Sequence, residues 1–366
     1  MIKSLAKENR KNNLNHHFTI YLTKGQKFLI EKFLDEYFRV VEIPPASSSS
    51  AMKVFGEQVL LPFYLLFSNL DVVYYPGNFV PLLSVKPSVV AIRSMLYYHH
   101  PYAIDKSRLF VRKLLTPPSA KRSKAIITPS QDIKNDVINF VGIPEQKIHV
   151  INHGVDTELF QKNYKEEERE AIFKKFGITK KFIMYASALW RYKNQDKLII
   201  AFEKLIREQN YDLQLVIAGQ GINMFEEYQN ELNQLVKDKG LKDRVLFTGL
   251  VPHNELKYLY KYAEVFAYPS SYESFGNPLF EAWASGVPIV CANVHSFPEM
   301  TQNGKCAVMV NPKDVDELNS ALDRVLSDQD LRKKLIQNGA ARVAEFSWEK
   351  CVRQTLEVIT KTGTLK

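Results

Sequence analysis

The run Tyr272-Glu273-Ser274-Phe275-Gly276-Asn277-Pro278-Leu279-Phe280-Glu281-Ala282-Trp283-Ala284-Ser285-Gly286-Val287-Pro288-Ile289-Val290 constrains this chain more than any other part of it. It sets two carboxylates, Glu273 and Glu281, on either side of a tight turn that opens a helix. Pro278 suits the first helical position, where its missing N–H costs nothing, and Asn277 before it suits the N-cap. Gly286 closes the helix, and Val287–Val290 reads as a buried strand. The N-terminus of such a helix directs backbone N–H groups and a partial positive charge at whatever lies in front of it. A diphosphate suits that position, and the two carboxylates suit hydroxyls on either side, a sugar's at one end and a ribose's at the other.

A glutamate in the first turn of a helix is favoured by the macrodipole alone, so the pair by itself says little. The whole string Glu-Ser-Phe-Gly-Asn-Pro-x-x-Glu-Ala-x-Ala-x-Gly-x-Pro says more. Glu273 and Glu281 match the E-x7-E motif, and the chain resembles the retaining glycosyltransferases of family 4 (glycosyl transferases group 1), which have the GT-B fold. The resemblance implies two Rossmann-like, doubly wound parallel-sheet α/β domains facing a cleft. It also implies a sugar moved from a nucleotide-sugar to an acceptor hydroxyl with retention at the anomeric carbon.

Composition agrees with a two-domain protein: 366 residues are too many for one compact core. The net charge of +9 implies anionic partners. Phosphates or an acidic membrane surface suit it better than nucleic acid, because no zinc spacing, RNA-binding aromatic motif or helix-turn-helix signature accompanies the charge. The three cysteines, Cys291, Cys306 and Cys351, form neither a disulfide framework nor a metal-ligand spacing and read as buried free thiols. The first residues are too charged for a signal peptide. The apolar run Val59–Phe67 is short of a membrane span and contains Pro62. It reads as a buried helix, with a membrane-facing role as the second reading.

Short β-branched and aromatic runs alternate with helical patterns, as expected of parallel sheets covered by helices. The expected strands are Phe18–Thr23, Val40–Ile43, Leu70–Tyr74, Val89–Arg93, Ala125–Thr128 and Ile148–Ile151 in the first half. In the second half they are Phe182–Tyr185, Leu213–Ala218, Val245–Thr248, Val265–Tyr268, Val287–Val290 and Ala307–Val310. Ser130 and Ser347 are expected to cap helices, and Ser47–Ser50 reads as a mobile loop. Asn152-His153-Gly154-Val155-Asp156 resembles the family's interdomain hinge. The expected domains are residues 1–156, acceptor-binding, with a returning helix over 345–366, and residues 157–344, binding the nucleotide-sugar. The family's first strand and its Gly-rich loop are missing from the start of the chain. A fragment, a start codon assigned too late, or a true loss would each explain this. Losing a central strand leaves edges unpaired, so the 366-residue form is expected to be poorly soluble or inactive alone; equal activity of an upstream-extended form would refute that.

The resemblance also implies roles for residues elsewhere. Lys193 keeps its family place after the first strand of the second half and, with Arg191, would neutralise a departing diphosphate. Ala188 stands where the family commonly has Arg, and Ser187 where it has Gly. Glu273 would orient the donor sugar and Glu281 hold the ribose. The donor side so implied comprises Glu281, Ser187, Gly219, Leu250, Val251, Phe275, Gly276, Asn277 and Leu279, with Gly219 in a Gly-Gln-Gly turn and Leu250-Val251 in a loop that holds the base. That turn lacks the third glycine of a dinucleotide fingerprint, which argues against a nicotinamide oxidoreductase. On the acceptor side Arg93 and Ser94 replace a common His-Asp pair, and His99 follows closely. No Asp-x-Asp pair stands where a metal would bridge phosphates, so neither a metal nor another cofactor is expected. The expected partners are a nucleotide-sugar, a saccharide or lipid-linked acceptor and an anionic membrane, with no nucleic acid. The expected location is the cytoplasm, peripherally on the inner face of the cell membrane, in cell-surface polysaccharide or glycolipid assembly. A nucleotide-sugar epimerase on the same fold and a non-catalytic partner subunit are the rival readings.

Overall fold

The computed structural model describes residues 2–12, 14–44, 50–161, 164–221 and 226–364. Ser47–Ser49 of the expected mobile loop lie outside them, and Ser50 begins a helix. The chain divides into two compact units, Met1–Gly154 with Ser347–Lys366, and Val155–Phe346. Each of the twelve strand segments expected from the sequence forms a strand, with ends shifted by at most three residues.

The first unit contains a parallel pair, β1 (Phe18–Thr23) and β2 (Phe38–Ile43), and a four-stranded parallel sheet. The sheet runs β3 (Val73–Tyr75), β4 (Ser88–Ala91), β5 (Ala125–Thr128), β6 (Ile148–Val150). Among the described residues the pair and the sheet share no ladder. Strands β4 and β5 are buried throughout, as the apolar runs of a sheet covered on both faces should be. The C-terminal helix Trp348–Thr364 belongs to this unit and packs on them, with Cys351 beside Val89, Ala91, Ala125 and Ile127. Ser347 caps it, its Oγ accepting from Lys350 N at 3.1 Å. Ser130 caps the helix after β5 in the same way.

The second unit is a six-stranded, all-parallel sheet. Its strands are β7 (Phe182–Ala186), β8 (Gln214–Ala218), β9 (Val245–Gly249), β10 (Val265–Tyr268), β11 (Ile289–Ala292) and β12 (Val308–Val310). The order β12-β11-β10-β7-β8-β9 reverses direction between β7 and β10. In an open sheet of this kind the loops leaving those two strands diverge to opposite faces and leave a crevice at their carboxyl ends. The helices between the strands carry apolar stripes that close the core, with Leu198, Phe202, Leu232, Tyr258 and Leu322 fully or nearly fully buried.

Two sequence expectations need correction. The run Val59–Phe67 is helical over most of its length, but only one face is buried. Pro62 and Leu65 are covered, whereas Val59, Phe63, Leu66 and Phe67 are exposed, because the unit packs against a single side of the segment. The helix after Glu273 begins one residue earlier than the Asn277 cap implied. It spans Asn277–Ala284, and Gly276 takes the cap position at φ +85°, a left-handed conformation that glycine adopts without strain. The three cysteines are free and buried, as expected. Among the described residues, no helix is long and apolar enough to cross a membrane.

Candidate functional site

The loops leaving β7 and β10 flank the crevice where the strand order reverses, and hydrogen bonds bridge them. After β7 the chain makes a tight helical turn, Arg191–Lys193, then places Asn194 in the left-handed region at φ 57°. The Asn194 amide donates to Pro269 O at 2.7 Å and Ser271 Oγ at 2.8 Å, and Ser271 N donates to Tyr192 O at 2.7 Å. These bonds tie the two loops together and turn Lys193 inward, where it is 7% exposed. A lysine so buried needs partners. It has two, donating to the carboxylate of Glu273 and, at 3.3 Å, to Tyr268 Oη. Tyr268, the last residue of β10, donates in turn to Glu273 Oε1 at 2.5 Å. Ser296 Oγ holds the Glu273 carbonyl at 2.9 Å.

Three buried tyrosines lie against the two carboxylates, Glu273 and Glu281. Burial, and secondarily the charge of Glu273, push the phenols of Tyr185 and Tyr268 well above their ordinary pKa. They therefore stay protonated and act as donors. The Ser187 hydroxyl is near both. The third, Tyr260, is buried beside Glu281, and its hydroxyl finds no hydrogen-bond partner of good geometry among the described residues. Glu281 lies on the helix Asn277–Ala284, and burial raises its carboxyl above the usual range, opposed by Tyr260 and by the nearby His253. A desolvated carboxylate gains stability from a ligand that brings hydroxyl groups.

Backbone fit shapes the rest of the site. Gly219, at φ +144°, donates its N–H to Gly249 O at 2.9 Å, and a side chain there would start 1.9 Å from Ser187 O. Only glycine lets the loops after β7 and β8 approach so closely. Gly276 is tight as well, with a notional Cβ 3.1 Å from the Phe297 ring.

Of the residues singled out from sequence, the structure brings Lys193, Glu273 and Ser187 together and sets Gly219 against Ser187. Phe275 and Leu279 are buried in the core, Phe275 stacked on Phe280 with ring centroids 4.7 Å apart. They support the turn through packing. Leu250 is 75% exposed while Val251 is buried. Arg191 does not join Lys193. Its guanidinium forms a bidentate pair with Glu231 at 2.5 and 2.6 Å and lies over the Tyr228 ring. In the first unit Arg93 N and Ser94 Oγ serve loop hydrogen bonds, to Asn78 Oδ1 at 2.8 Å and from Leu96 N at 3.3 Å. His99 meets Asp136 through Nε2 at 2.8 Å, which raises its pKa. Tyr268, Tyr260, Asn194 and Ser296 were missed in the sequence. A tyrosine closing an apolar strand gives no local signal of its hydrogen-bonding task.

Comparison with known proteins identifies the family and the fold. The model of Glycosyltransferase Family 4 matches residues 1–159, and that of Glycosyl transferases group 1 matches residues 168–342. An uncharacterized glycosyltransferase of Methanocaldococcus jannaschii is 32% identical over 260 residues, 70% of this chain and 64% of the relative. The chain thus spans a little under two thirds of that relative's length. O-antigen chain mannosyltransferase B of Escherichia coli is 26% identical over 288 residues, 78% of this chain and 73% of that protein. The crystal structure of Anabaena HepE in complex with UDP superposes with a TM-score of 0.76 at 19% identity, covering 98% of this chain and 95% of HepE, a likeness of fold. Two family models that match the two parts of the chain in turn, and a fold shared with solved glycosyltransferases, show that it belongs to the group 1 glycosyltransferases and has the GT-B fold.

Proposed function

We propose that the second unit binds a nucleotide-sugar and that the enzyme transfers the sugar, with retention, to a hydroxyl of a saccharide or lipid-linked acceptor held by the first unit. The observation that carries this is the buried Lys193–Tyr268–Glu273 cluster at the strand-order reversal, beside the N-terminus of a helix that bears Glu281. The cation and the helix terminus stabilise charge that grows on a departing diphosphate. Glu273 accepts from sugar hydroxyls and Glu281 from the ribose, with the main chain near Gly219, Leu250, Val251, Gly276 and Asn277 completing the donor side. The bond from the anomeric carbon to the diphosphate breaks, the acceptor oxygen bonds to that carbon from the same face, and its proton passes to a departing phosphate oxygen. Arg191 joins the diphosphate by leaving Glu231. Arg93, Ser94 and His99 contribute to the acceptor side. With Lys193 and the helix terminus supplying the charge, turnover is independent of metal; stimulation by magnesium would overturn this.

The E. coli relative acts on O-antigen chains, and HepE binds UDP. These support cell-surface polysaccharide or glycolipid assembly and a nucleotide-sugar donor. The excess of positive charge supports a cytoplasmic enzyme in peripheral contact with an anionic membrane. The test is thermal shift and hydrolysis with UDP-, GDP-, ADP- and dTDP-sugars, with Glu281→Ala as control. Stabilisation by one nucleotide, lost in the variant, is expected. No response to any of the four would overturn the donor site.

A further inference from the structure

The basic surplus is confined to one unit. Met1–Gly154 with Ser347–Lys366 carries 24 Lys and Arg against 13 Asp and Glu, whereas Val155–Phe346 carries 25 against 27. The first unit also carries an exposed apolar surface. Along the helical segment from Met52 to Phe67, Phe55, Val59, Phe63, Leu66 and Phe67 are exposed, Phe63 by 63% and Phe67 by 75%. Phe63 and Phe67 touch edge to face, with centroids 5.1 Å apart. Glu57 is the one acidic residue of the segment.

The surface continues into the neighbouring loop. Leu82 N donates to Gln58 Oε1 at 3.2 Å, which fastens the loop to the helix, and Leu83 and Val85 are 69% and 65% exposed. Cations rim it. Lys86 Nζ donates to Ser68 O at 2.7 Å at the end of the helix. Arg122 donates to Ser84 O at 2.9 Å, with Lys121 beside it, and Lys147 donates to Lys121 O at 2.6 Å. Exposed aromatic and aliphatic side chains on one helix face, bordered by cations, match a helix lying in the interface of a bilayer. There the apolar groups enter the acyl boundary and the cations meet anionic headgroups.

We infer that the face formed by Phe55, Val59, Phe63, Phe67, Leu83 and Val85 docks on an anionic lipid surface, with Lys86, Lys121 and Arg122 against the headgroups. This deepens the membrane-contact part of the proposed function and is independent of the chemistry at Lys193 and Glu273. Donor-sugar hydrolysis in solution is measured alongside, so either reading can fail alone.

The experiment is sedimentation of the full chain with vesicles of phosphatidylglycerol and phosphatidylcholine in roughly equal parts, against pure phosphatidylcholine. Binding to the mixed vesicles is expected, weakened by salt. Phe63→Ser with Phe67→Ser is expected to lower it roughly tenfold or more, at an unchanged rate of donor hydrolysis. Lys86→Gln and Lys121→Gln should each lower it about fivefold. Should the serine variant fail to fold, Phe67→Trp keeps the surface apolar and should show a blue-shifted emission on adding mixed vesicles. A wild type that stays in the supernatant, serine variants that bind as tightly as wild type, or an unshifted emission from the Phe67→Trp variant would overturn the proposal. So would a dimer in analytical ultracentrifugation that the serine variant dissociates, since a second copy would then cover the face.

Discussion

Tyr268 Oη donates to Glu273 Oε1 at 2.5 Å while accepting from Lys193 Nζ at 3.3 Å. One phenol thus fixes both members of a buried ion pair. Coulomb attraction alone does not fix the angle at which Glu273 presents its second oxygen, whereas a hydrogen bond does. Tyr268→Phe keeps the ring packed against Phe266 and Phe297 and removes only the hydroxyl. We expect kcat to fall about tenfold, for a loss of ~1.4 kcal/mol, with KM changed little. Steady-state kinetics beside a melting curve checks this; an unchanged kcat in a folded variant would show that Tyr268 has no positioning role.

Glu281 should trade stability for binding. Burial raises its carboxyl above the usual value of 4.5, so its ionised form is disfavoured in the folded protein. Its contribution to stability is fully present below pH ~4.5 and is lost as pH rises through the higher folded pKa. Glu281→Gln, which stays neutral, should therefore melt above wild type at pH ~7, with the gap closing toward pH ~4, while nucleotide affinity falls. A variant that melts below wild type at neutral pH would contradict the argument.

The pair His99–Asp136 has the opposite chemistry and a different pH window. The hydrogen bond to Asp136 raises the His99 pKa above 6.5. The added stability is complete below the unfolded value near 6.5 and disappears as pH rises through the folded pKa. Asp136→Asn should lower the melting temperature at pH ~6, by the equivalent of about 1 kcal/mol, and by less at pH ~9. Equal losses at both pH values would mean that the charge on His99 is not what the pair stabilises.

Gly219→Ala should be severe for a backbone reason. Its φ of +144° strains any side chain, and the added Cβ would start 1.9 Å from Ser187 O. A loss of at least ~2 kcal/mol in urea unfolding is expected, together with loss of donor binding. Gly142→Ala is the control, since its φ is also positive but nothing lies within 4 Å of the added Cβ. Comparable losses for the two would remove the close approach of Ser187 as the cause.

Local chemistry made much of this protein legible in its sequence. Alternating apolar runs announced twelve parallel strands, and Ser130 and Ser347 announced their helices, because side-chain periodicity and capping act over a few neighbouring residues. The E-x7-E string pointed to the candidate site for the same reason, since turn, helix start and both carboxylates lie within one short segment. Tertiary structure decided what that segment meets. Lys193 and Glu273 are 80 positions apart, and Lys193 and Tyr268 are 75 apart. They meet because β10 pairs with β7 where the strand order reverses. The same holds for the apolar run Val59–Phe67, whose hydrophobicity is plain in the sequence. Which face of it is buried depended on the packing of the whole unit, and the unit covers only one side. Arg191 also sits close to Lys193 in sequence, yet the fold delivers its guanidinium to Glu231 instead. Strand order and the partner available at each long side chain's tip are set by contacts between distant segments, which no local pattern encodes.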